Sequence, residues 1–260
     1  MESIVEFLKY RTLLWVFIKR NIMMKYKQTV MGFLWAIFMP MIIVLSGVIV
    51  KIAMAKISGG EVELTQIVSV SVKALPWAFF IGALKFSVGS LVTNMNILGK
   101  IYFPRVIFPL SYIFGQLFDF CIAAVVFIVL LTFAKIGVSI YLLWLPVFIL
   151  FLVLFTAGLG MMLSCGNLFY RDVKYIVDVV LTFAIFFTPV FYSADLFGTW
   201  GTLLLLNPVG AILECINSVI VLHQPPSMIW MGYSAFWAFF SFWIGWVIFH
   251  KAEPLFAESI

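Results

Sequence analysis

The stretch IYLLWLPVFILFLVLFTAGLGMMLSCG, residues 140–166, decides the class of this protein because it contains no charged residue. A helix that spans a bilayer needs about 20 mainly apolar residues, and this stretch is longer. The whole chain shares its character: 65% of its 260 residues are hydrophobic, 10% are charged, and its mean hydropathy is +1.17. Soluble domains have about 25% charged residues, so the composition excludes a soluble domain or a disordered chain and predicts an integral membrane protein.

Five further stretches have the composition of membrane-spanning helices. The six predicted spans are residues 33–50, 75–98, 106–134, 140–166, 175–191 and 228–249. The charged residues within them are few, namely Lys85, Asp119 and Asp178. We therefore predict an all-α integral membrane fold with six transmembrane helices.

The basic residues between the spans predict the orientation of the chain. With six spans both termini lie on one side, and that side carries eleven of the sixteen lysines and arginines. Four lie on the other side, and Lys85 lies within a span. Because basic loops stay in the cytoplasm, we expect both termini to be cytoplasmic in a multi-pass protein of the inner (plasma) membrane. The net charge of +5 thus reflects orientation, and no nucleic-acid partner is expected.

Residues 1–32 form a separate basic segment before the transmembrane domain of residues 33–260. Over residues 4–22 a helical wheel places most large apolar side chains on one arc. Glu6, Lys9, Lys19 and Arg20 lie elsewhere, and Arg11 intrudes on the apolar side. This pattern predicts an amphipathic helix in the cytoplasmic interface of the membrane. The alternative is a solvent-facing helix packed on a partner.

The segment between spans five and six, about residues 193–227, is too apolar for an ordinary loop. Asn207 and Pro208 interrupt it, and Pro225-Pro226 closes it. Neither half is long enough to cross the bilayer as a helix. We therefore predict a re-entrant pair of short helices on the outer side, which would be a candidate gate.

Short motifs in a fixed order resemble those of type-2 ABC exporter permeases. They are Arg20-Asn21, KYKQTVMG (25–32), Trp35, Pro40, KIYFPR (100–105), PLS (109–111), RDV (171–173), TPVFY (188–192), Asn207-Pro208 with Glu214, Glu253, and FAE (256–258). They are most similar to the branch that exports O-antigen, teichoic acid and capsule-type polysaccharides. Asn217 departs from the family, which often has arginine three residues after the glutamate, so the family's ion pair there is not expected.

The resemblance implies a transport subunit rather than an enzyme. Two copies would form a homodimeric pore among membrane lipids, with two copies of a separate cytoplasmic ABC ATPase and a polyprenyl-pyrophosphate-linked polysaccharide as cargo. No G-x-x-x-x-G-K-[ST] phosphate loop occurs, so ATP and Mg²⁺ are expected on the partner and no cofactor on this chain.

The resemblance also assigns roles to basic and acidic residues. The loop with Lys100, Tyr102, Phe103, Pro104 and Arg105 would contact the ATPase, although its cations could simply anchor the loop in the cytoplasm. Arg171 and Asp172 would join that contact or cap span five. Asn207, Pro208 and Glu214 would form the outer gate. Arg20, Lys25 and Lys27 could contact anionic lipid, the ATPase or the pyrophosphate of the cargo.

Lys85 and Asp119 lie at equal sequence distances from Tyr102, in a predicted hairpin that turns near that residue. At 1.5 Å rise per residue both should lie at a similar depth. Since an unpaired charge at that depth is costly, we predict that they pair, within the chain or across the dimer. The alternative is that Lys85 extends toward the interface.

A conduit for sugars favours aromatic side chains, because the C–H faces of sugars pack on rings. The candidates are Trp35, Phe38, Trp77, Phe80, Tyr112 and Phe191, and the alternative for each is ordinary packing. Gly158 and Gly160 are expected to permit close approach of helices.

Two other functions remain open. An exporter of drugs or simple lipids would share this architecture. A membrane-embedded prenyl or glycosyl transferase would need clustered aspartates to hold Mg²⁺, and here the aspartates are dispersed. No metal site is expected, since His223 and His250 form no H-E-x-x-H pattern.

Overall fold

The computed structural model describes residues 9–27, 29–59, 63–98, 103–133 and 137–257, and within them every regular element is helical. The α-helices are α1 (Arg11–Tyr26), α2 (Leu34–Ser58), α3 (Leu64–Val88), α4 (Ser90–Thr93), α5 (Met95–Leu98), α6 (Ile107–Phe133), α7 (Leu145–Phe169), α8 (Asp172–Ala184), α9 (Gly201–Leu205), α10 (Pro208–Ile220) and α11 (Met228–Ala252). Short 3₁₀ helices cover Ile140–Trp144, Ile185–Phe187, Ala194–Trp200 and Glu253–Ala257.

Five stretches in the described part of the chain are long and apolar enough to cross a membrane. They are Leu34–Ile57, Leu64–Val88, Ile107–Val129, Ile140–Phe169 and Met228–Phe256. These stretches overlap predicted spans one to four and six, and they indicate an integral membrane protein.

The predicted fifth span, residues 175–191, is divided in the structure, so the count of six is not confirmed. Helix α8 has 13 residues, about 20 Å of helix against a hydrocarbon core of about 30 Å. A 3₁₀ turn follows, and Thr188 is extended at φ −119° and ψ 132°. Pro189 explains this end, because the residue before a proline is driven out of the helical region.

The second span begins earlier than predicted, at Leu64 instead of residue 75. Pro76, which lies in the interior of α3, does not end the helix. Lys73, which the sequence placed in an outer loop, therefore lies inside a membrane-spanning helix and is 1% exposed. Helix α3 occupies the centre of the bundle and contacts α2, α6, α7 and α10.

Helices α7 and α11 are in backbone contact at two glycines. A Cβ atom built on Gly158 would lie 2.3 Å from the carbonyl carbon and oxygen of Ser241, and one on Gly245 would lie 2.4 Å from the carbonyl oxygen of Gly158. A Cβ on Gly160 would lie 2.5 Å from Ser87 Oγ. The prediction that Gly158 and Gly160 permit close helix approach is confirmed.

Helix α1 packs on α6 through one face. Phe17 and Ile18 are buried, and Asn21 Nδ2 donates to Ser111 Oγ at 2.9 Å. Trp15 and Met23 are exposed on the opposite face. The predicted arc began at residue 4, and residues 4–8 lie outside the described part of the chain. The location of α1 in the membrane interface stays a prediction.

Helices α9 and α10 are the two short apolar helices predicted on either side of Asn207 and Pro208. Asn207 caps α10, since its Oδ1 accepts from Val209 N at 3.1 Å and its Nδ2 donates to Thr188 Oγ1 at 2.8 Å. Pro208 occupies the first turn, where no backbone N–H is needed. The re-entrant path of this pair in the membrane stays a prediction.

Candidate functional site

A cleft at the C-terminal end of α3 gathers basic and aromatic side chains, and we call it the basic cavity. It consists of two adjoining cavities of about 500 and 410 Å³ that share Lys25, Lys85, Phe86, Gln116 and Asp119. Trp35 lines the larger part, and Tyr112 and Lys174 line the smaller. The cavity thus brings together residues from α1, α2, α3, α6 and α8.

The centre of the basic cavity is Asp119 on α6, which is 7% exposed. Its carboxylate forms an ion pair with Lys25 and accepts a hydrogen bond from Tyr26 Oη at 2.6 Å. Lys25 Nζ also donates to Gln116 Oε1 at 3.3 Å and lies 5.3 Å from the centre of the Phe86 ring. Burial raises the pKa of the Tyr26 phenol, and the hydrogen bond to Asp119 and the charge of that carboxylate raise it further. Two consecutive residues at the end of α1 therefore hold this helix on α6.

The predicted direct pair of Lys85 and Asp119 within the chain is wrong. Asp119 is occupied by Lys25 and Tyr26, and Lys85 Nζ lies 3.6 Å from Asp178 Oδ1 on α8. The argument from helical rise compared depth only, whereas pairing also needs the two helix faces to meet. Both side chains nevertheless line the basic cavity. A pair across a dimer stays a prediction.

The predicted basic cluster of Arg20, Lys25 and Lys27 is divided between two places. Arg20 donates to Asn94 Oδ1 at 2.6 Å and stacks over the Phe17 ring at 4.5 Å, so it joins α1 to the end of the α4 region. Arg20 and exposed Lys27 line a separate open groove along α1. Of the three, Lys25 lines the basic cavity, together with Lys85 and Lys174.

The predicted coupling loop is described from Phe103 onward, and Lys100 and Tyr102 lie outside the described residues. Phe103 is 5% exposed, Pro104 is buried, and the Phe103 ring packs 6.0 Å from that of Phe17. Phe103 thus packs on α1 within the chain, and the contact of this loop with an ATPase stays a prediction.

Arg105 joins the coupling loop to the C-terminal segment. Its backbone N–H donates to Glu253 Oε1 at 2.7 Å, and its guanidinium donates to the Glu253 carbonyl at 2.8 Å. The guanidinium also lies 5.7 Å from the centre of the Phe256 ring. Arg171 and Asp172 are exposed at the start of α8, where the acidic group favours the helix N-terminus.

The predicted channel aromatics fall into separate groups. Trp35 and Tyr112 line the basic cavity, and Phe38, which is exposed, packs 5.7 Å from Trp35. Trp77 and Phe80 are buried in the core of the chain, so their assignment to a conduit is corrected to packing. Phe191 lines a cavity at the other end of α3. Sequence reasoning missed Phe86, because nothing in its context separates it from the other phenylalanines.

The predicted gate residue Glu214 on α10 is bound by Lys73 of α3. Lys73 Nζ lies 3.2 Å from Glu214 Oε1 and donates to the Tyr192 carbonyl at 2.7 Å. Ala194 N also donates to Glu214 Oε1, at 3.3 Å. In this chain Lys73 therefore pairs with Glu214, in place of the arginine that the family often has at the position of Asn217. The apolar residues 67, 68, 70 and 72 could have indicated from the sequence that the second span begins before Lys73.

Replacing Asp119 with leucine is expected to destabilise the chain by about 2–3 kcal/mol, because Lys25 and Tyr26 lose a partly buried acceptor. The double change Lys25→Met with Asp119→Leu should cost less than the sum of the single changes. Unfolding in mixed micelles measures both effects. Exposed Asp172→Asn is the control, and its loss at the N-terminus of α8 should stay below about 1 kcal/mol. Equal stability of Asp119→Leu and the parent chain would contradict the assignment.

Comparisons with known proteins show what the chain is similar to. The family described as ABC-2 type transporter matches residues 12–221. The O-antigen export system permease protein RfbA of Klebsiella pneumoniae is 25% identical over 254 residues, which are 95% of each chain. The protein of the same name from Myxococcus xanthus is 24% identical over 258 residues, 98% of each chain.

Proposed function

This chain belongs to the ABC-2 type transporter family, and from that premise we propose that it is the permease subunit of an ATP-driven exporter. Its cargo is a lipid-linked O-antigen-type polysaccharide, which it moves from the cytoplasmic side across the inner membrane. Two relatives that align over almost their whole length are named as O-antigen export permeases, and this supports the choice of cargo. ATP is hydrolysed by a separate subunit, and this chain holds no cofactor.

In this proposal the chain crosses the membrane six times. Helix α8 and the residues that follow it, up to about 191, form a short fifth crossing, and α9 and α10 form the outer re-entrant pair. Both termini then lie in the cytoplasm with eleven of the sixteen basic residues. Two copies of the chain form the pore, and two copies of a cytoplasmic ABC ATPase bind below it.

The basic cavity is the observation that carries the assignment of the cargo. Lys25, Lys85 and Lys174 line it; Asp119 pairs with Lys25 and Asp178 with Lys85, so the cavity keeps one net positive charge. It lies beside α1, the helix proposed to rest at the headgroup level. A pyrophosphate attached to a membrane lipid would reach such a site from the interface, since ammonium groups bind phosphate oxygens.

The aromatic residues of the same cavity suit the rest of the cargo. Trp35, Phe86 and Tyr112 line the cavity together with the lysines, and Lys25 Nζ lies 5.3 Å from the centre of the Phe86 ring. A prenyl chain or the apolar face of the first sugar would pack on them while the pyrophosphate is held by the cations. The cavity therefore offers both a cation for the pyrophosphate and aromatic rings for the prenyl chain or the first sugar.

Coupling to the ATPase is proposed for the surface formed by Arg171, Asp172 and the loop that ends at Arg105. Because Arg105 is bonded to Glu253, a push on this loop reaches the end of α11 as well as the start of α6. The exposed pair Arg171 and Asp172 starts α8, which carries Asp178, the partner of Lys85.

The test is transport in vesicles that contain this chain with its ATPase and a polyprenyl-pyrophosphate-linked glycan. ATP-dependent protection of the glycan from an external glycosidase is expected. Changing Lys85 and Lys174 to methionine should lower the transport rate about tenfold or more, because each removes a charge-assisted contact with phosphate. Lys56→Met is the control, since Lys56 is an exposed lysine that does not line the basic cavity.

Two outcomes would contradict the proposed function. One is ATP-dependent export of a drug or simple lipid with no export of the glycan. The other is glycan transport that proceeds in vesicles without any ATPase subunit.

A further inference from the structure

An apolar crevice lies where α3, α6, α7 and α10 meet, and we call it the lateral crevice. Its volume is about 180 Å³, and its lining includes Pro76 of α3, Phe120 and Thr132 of α6, Leu142 before α7 and Ile216 of α10. None of the described residues that line it is charged. It therefore differs in chemistry from the basic cavity, whose lining includes three lysines.

Water is a poor occupant of the lateral crevice. Among the described lining residues only Thr132 has a polar side chain, and its Oγ1 already donates to the Val129 carbonyl at 2.6 Å. A bound water needs about two to four polar partners, whereas an apolar cavity of about 150 Å³ stays dry and takes up apolar molecules. The lining therefore indicates an apolar ligand.

The length of the lateral crevice matches one leaflet of a bilayer. Phe120 and Thr132 lie twelve residues apart on α6, which corresponds to about 18 Å of helix. Half of a hydrocarbon core of about 30 Å is about 15 Å. The membrane-spanning stretch Ile107–Val129 ends close to Thr132. A hydrocarbon chain that enters at the Thr132 end would therefore reach Phe120 near the middle of the membrane.

The Thr132 end of the lateral crevice combines an exposed apolar lip with a polar side chain. The lip is formed by Ile128 and Val138, which are 57% and 87% exposed. His223 lies beside it, since a Cβ atom built on Gly137 would lie 3.7 Å from His223 Nε2. An imidazole N–H can donate a hydrogen bond to a phosphate or ester oxygen. This arrangement matches an amphiphile whose polar group stays at the membrane surface.

We propose that the lateral crevice binds one phospholipid, with an acyl chain inside the crevice and the headgroup beside His223. The prenyl chain of the cargo carrier is a poorer match, because its pyrophosphate would meet no cation among the described lining residues. Since Ile216 and Ile220 belong to the lining, the lipid also packs on α10. Only the assignment of this lipid to the outer leaflet rests on the proposed function and its topology.

The experiment is a photolabelling titration of the full-length chain in detergent micelles. The probe is a phosphatidylethanolamine that carries a diazirine in one acyl chain, either at the chain end or close to the ester. We expect saturable labelling with one lipid per chain. The chain-end probe should label the region of Phe120, and the probe close to the ester should label Thr132 and Val138, because the chain enters from the Thr132 end.

Ala124→Phe places a ring in the lateral crevice and should weaken the affinity for the probe about tenfold or more, because the acyl chain loses its contacts there. Val125→Phe is the matched control. Val125 is the next residue on α6, is 62% exposed and does not line the crevice, so the affinity should stay within about twofold. Thermal unfolding of each variant separates lost binding from lost folding. Val138→Asp, which puts a charge on the exposed lip, provides the reading if Ala124→Phe does not fold.

Three outcomes would overturn the proposal. They are labelling that spreads over the exposed apolar helices without saturation, an affinity unchanged in Val138→Asp, and equal affinities of Ala124→Phe and Val125→Phe. Displacement of the probe by an equal concentration of polyprenyl phosphate would assign the crevice to the cargo carrier and would overturn it as well. None of these results needs ATP or an ATPase subunit, so they are distinct from a failure of the proposed function.

Discussion

Replacing Gly158 with alanine is expected to destabilise the chain by about 3 kcal/mol or more, beyond the usual range for overpacking. The added Cβ would lie 2.3 Å from backbone atoms of Ser241, and backbone cannot rotate away as a side chain can. Gly245→Ala should have a similar effect, because its Cβ would lie 2.4 Å from the Gly158 carbonyl oxygen. Reversible unfolding in mixed micelles, with the yield of folded protein, measures both.

The matched control is Gly232→Ala on the same helix as Gly245. A Cβ at Gly232 meets nothing within 4 Å, so alanine should leave the stability unchanged or raise it by about 0.5–1 kcal/mol through its helix propensity. If Gly158→Ala and Gly232→Ala behaved alike, helices α7 and α11 would not be in backbone contact in the folded protein.

Glu214→Gln is expected to lower the free energy of unfolding by about 3 kcal/mol. Lys73 is 1% exposed, and removing the partner of a buried charge costs about 3–5 kcal/mol. The lower end applies because the Glu214 side chain is 20% exposed and Lys73 retains the Tyr192 carbonyl. Lys73→Met should be costly as well, since it leaves the Glu214 carboxylate without its cation.

The double change Lys73→Met with Glu214→Gln should be less destabilising than the sum of the two, because neither charge is then left alone. Glu63→Gln, an exposed carboxylate at the start of α3, is the control and should have little effect. Strict additivity of the two single changes would show that Lys73 and Glu214 do not interact.

The Lys73–Glu214 pair has a consequence for the outer segment. It holds α10 on the central helix α3. Through hydrogen bonds to Tyr192 and from Ala194 it also holds the segment that follows α8 and its 3₁₀ turn. In the proposed exporter, movement of the re-entrant pair would have to break or carry this contact. The same variants would therefore alter export as well as stability.

Much of the fold could be predicted because membrane insertion is a local property of the chain. The uncharged stretch at residues 140–166 and the apolar run at residues 106–134 both became long helices near their predicted bounds. The short helices on either side of Asn207 and Pro208 were also predicted, since proline and the Asn cap act within one turn. The family could be identified from short motifs whose order is visible in the sequence.

The sequence by itself determined that this protein is helical, lies in a membrane and is a transporter of the ABC-2 type. The tertiary structure decided which charged groups meet: Lys25 with Asp119, 94 residues apart, and Lys73 with Glu214, 141 residues apart. It also decided that Phe103 is buried and that Lys85 faces Asp178. Hydropathy and helical rise set the depth of each residue, but the rotation and packing of helices distant in sequence set its neighbours.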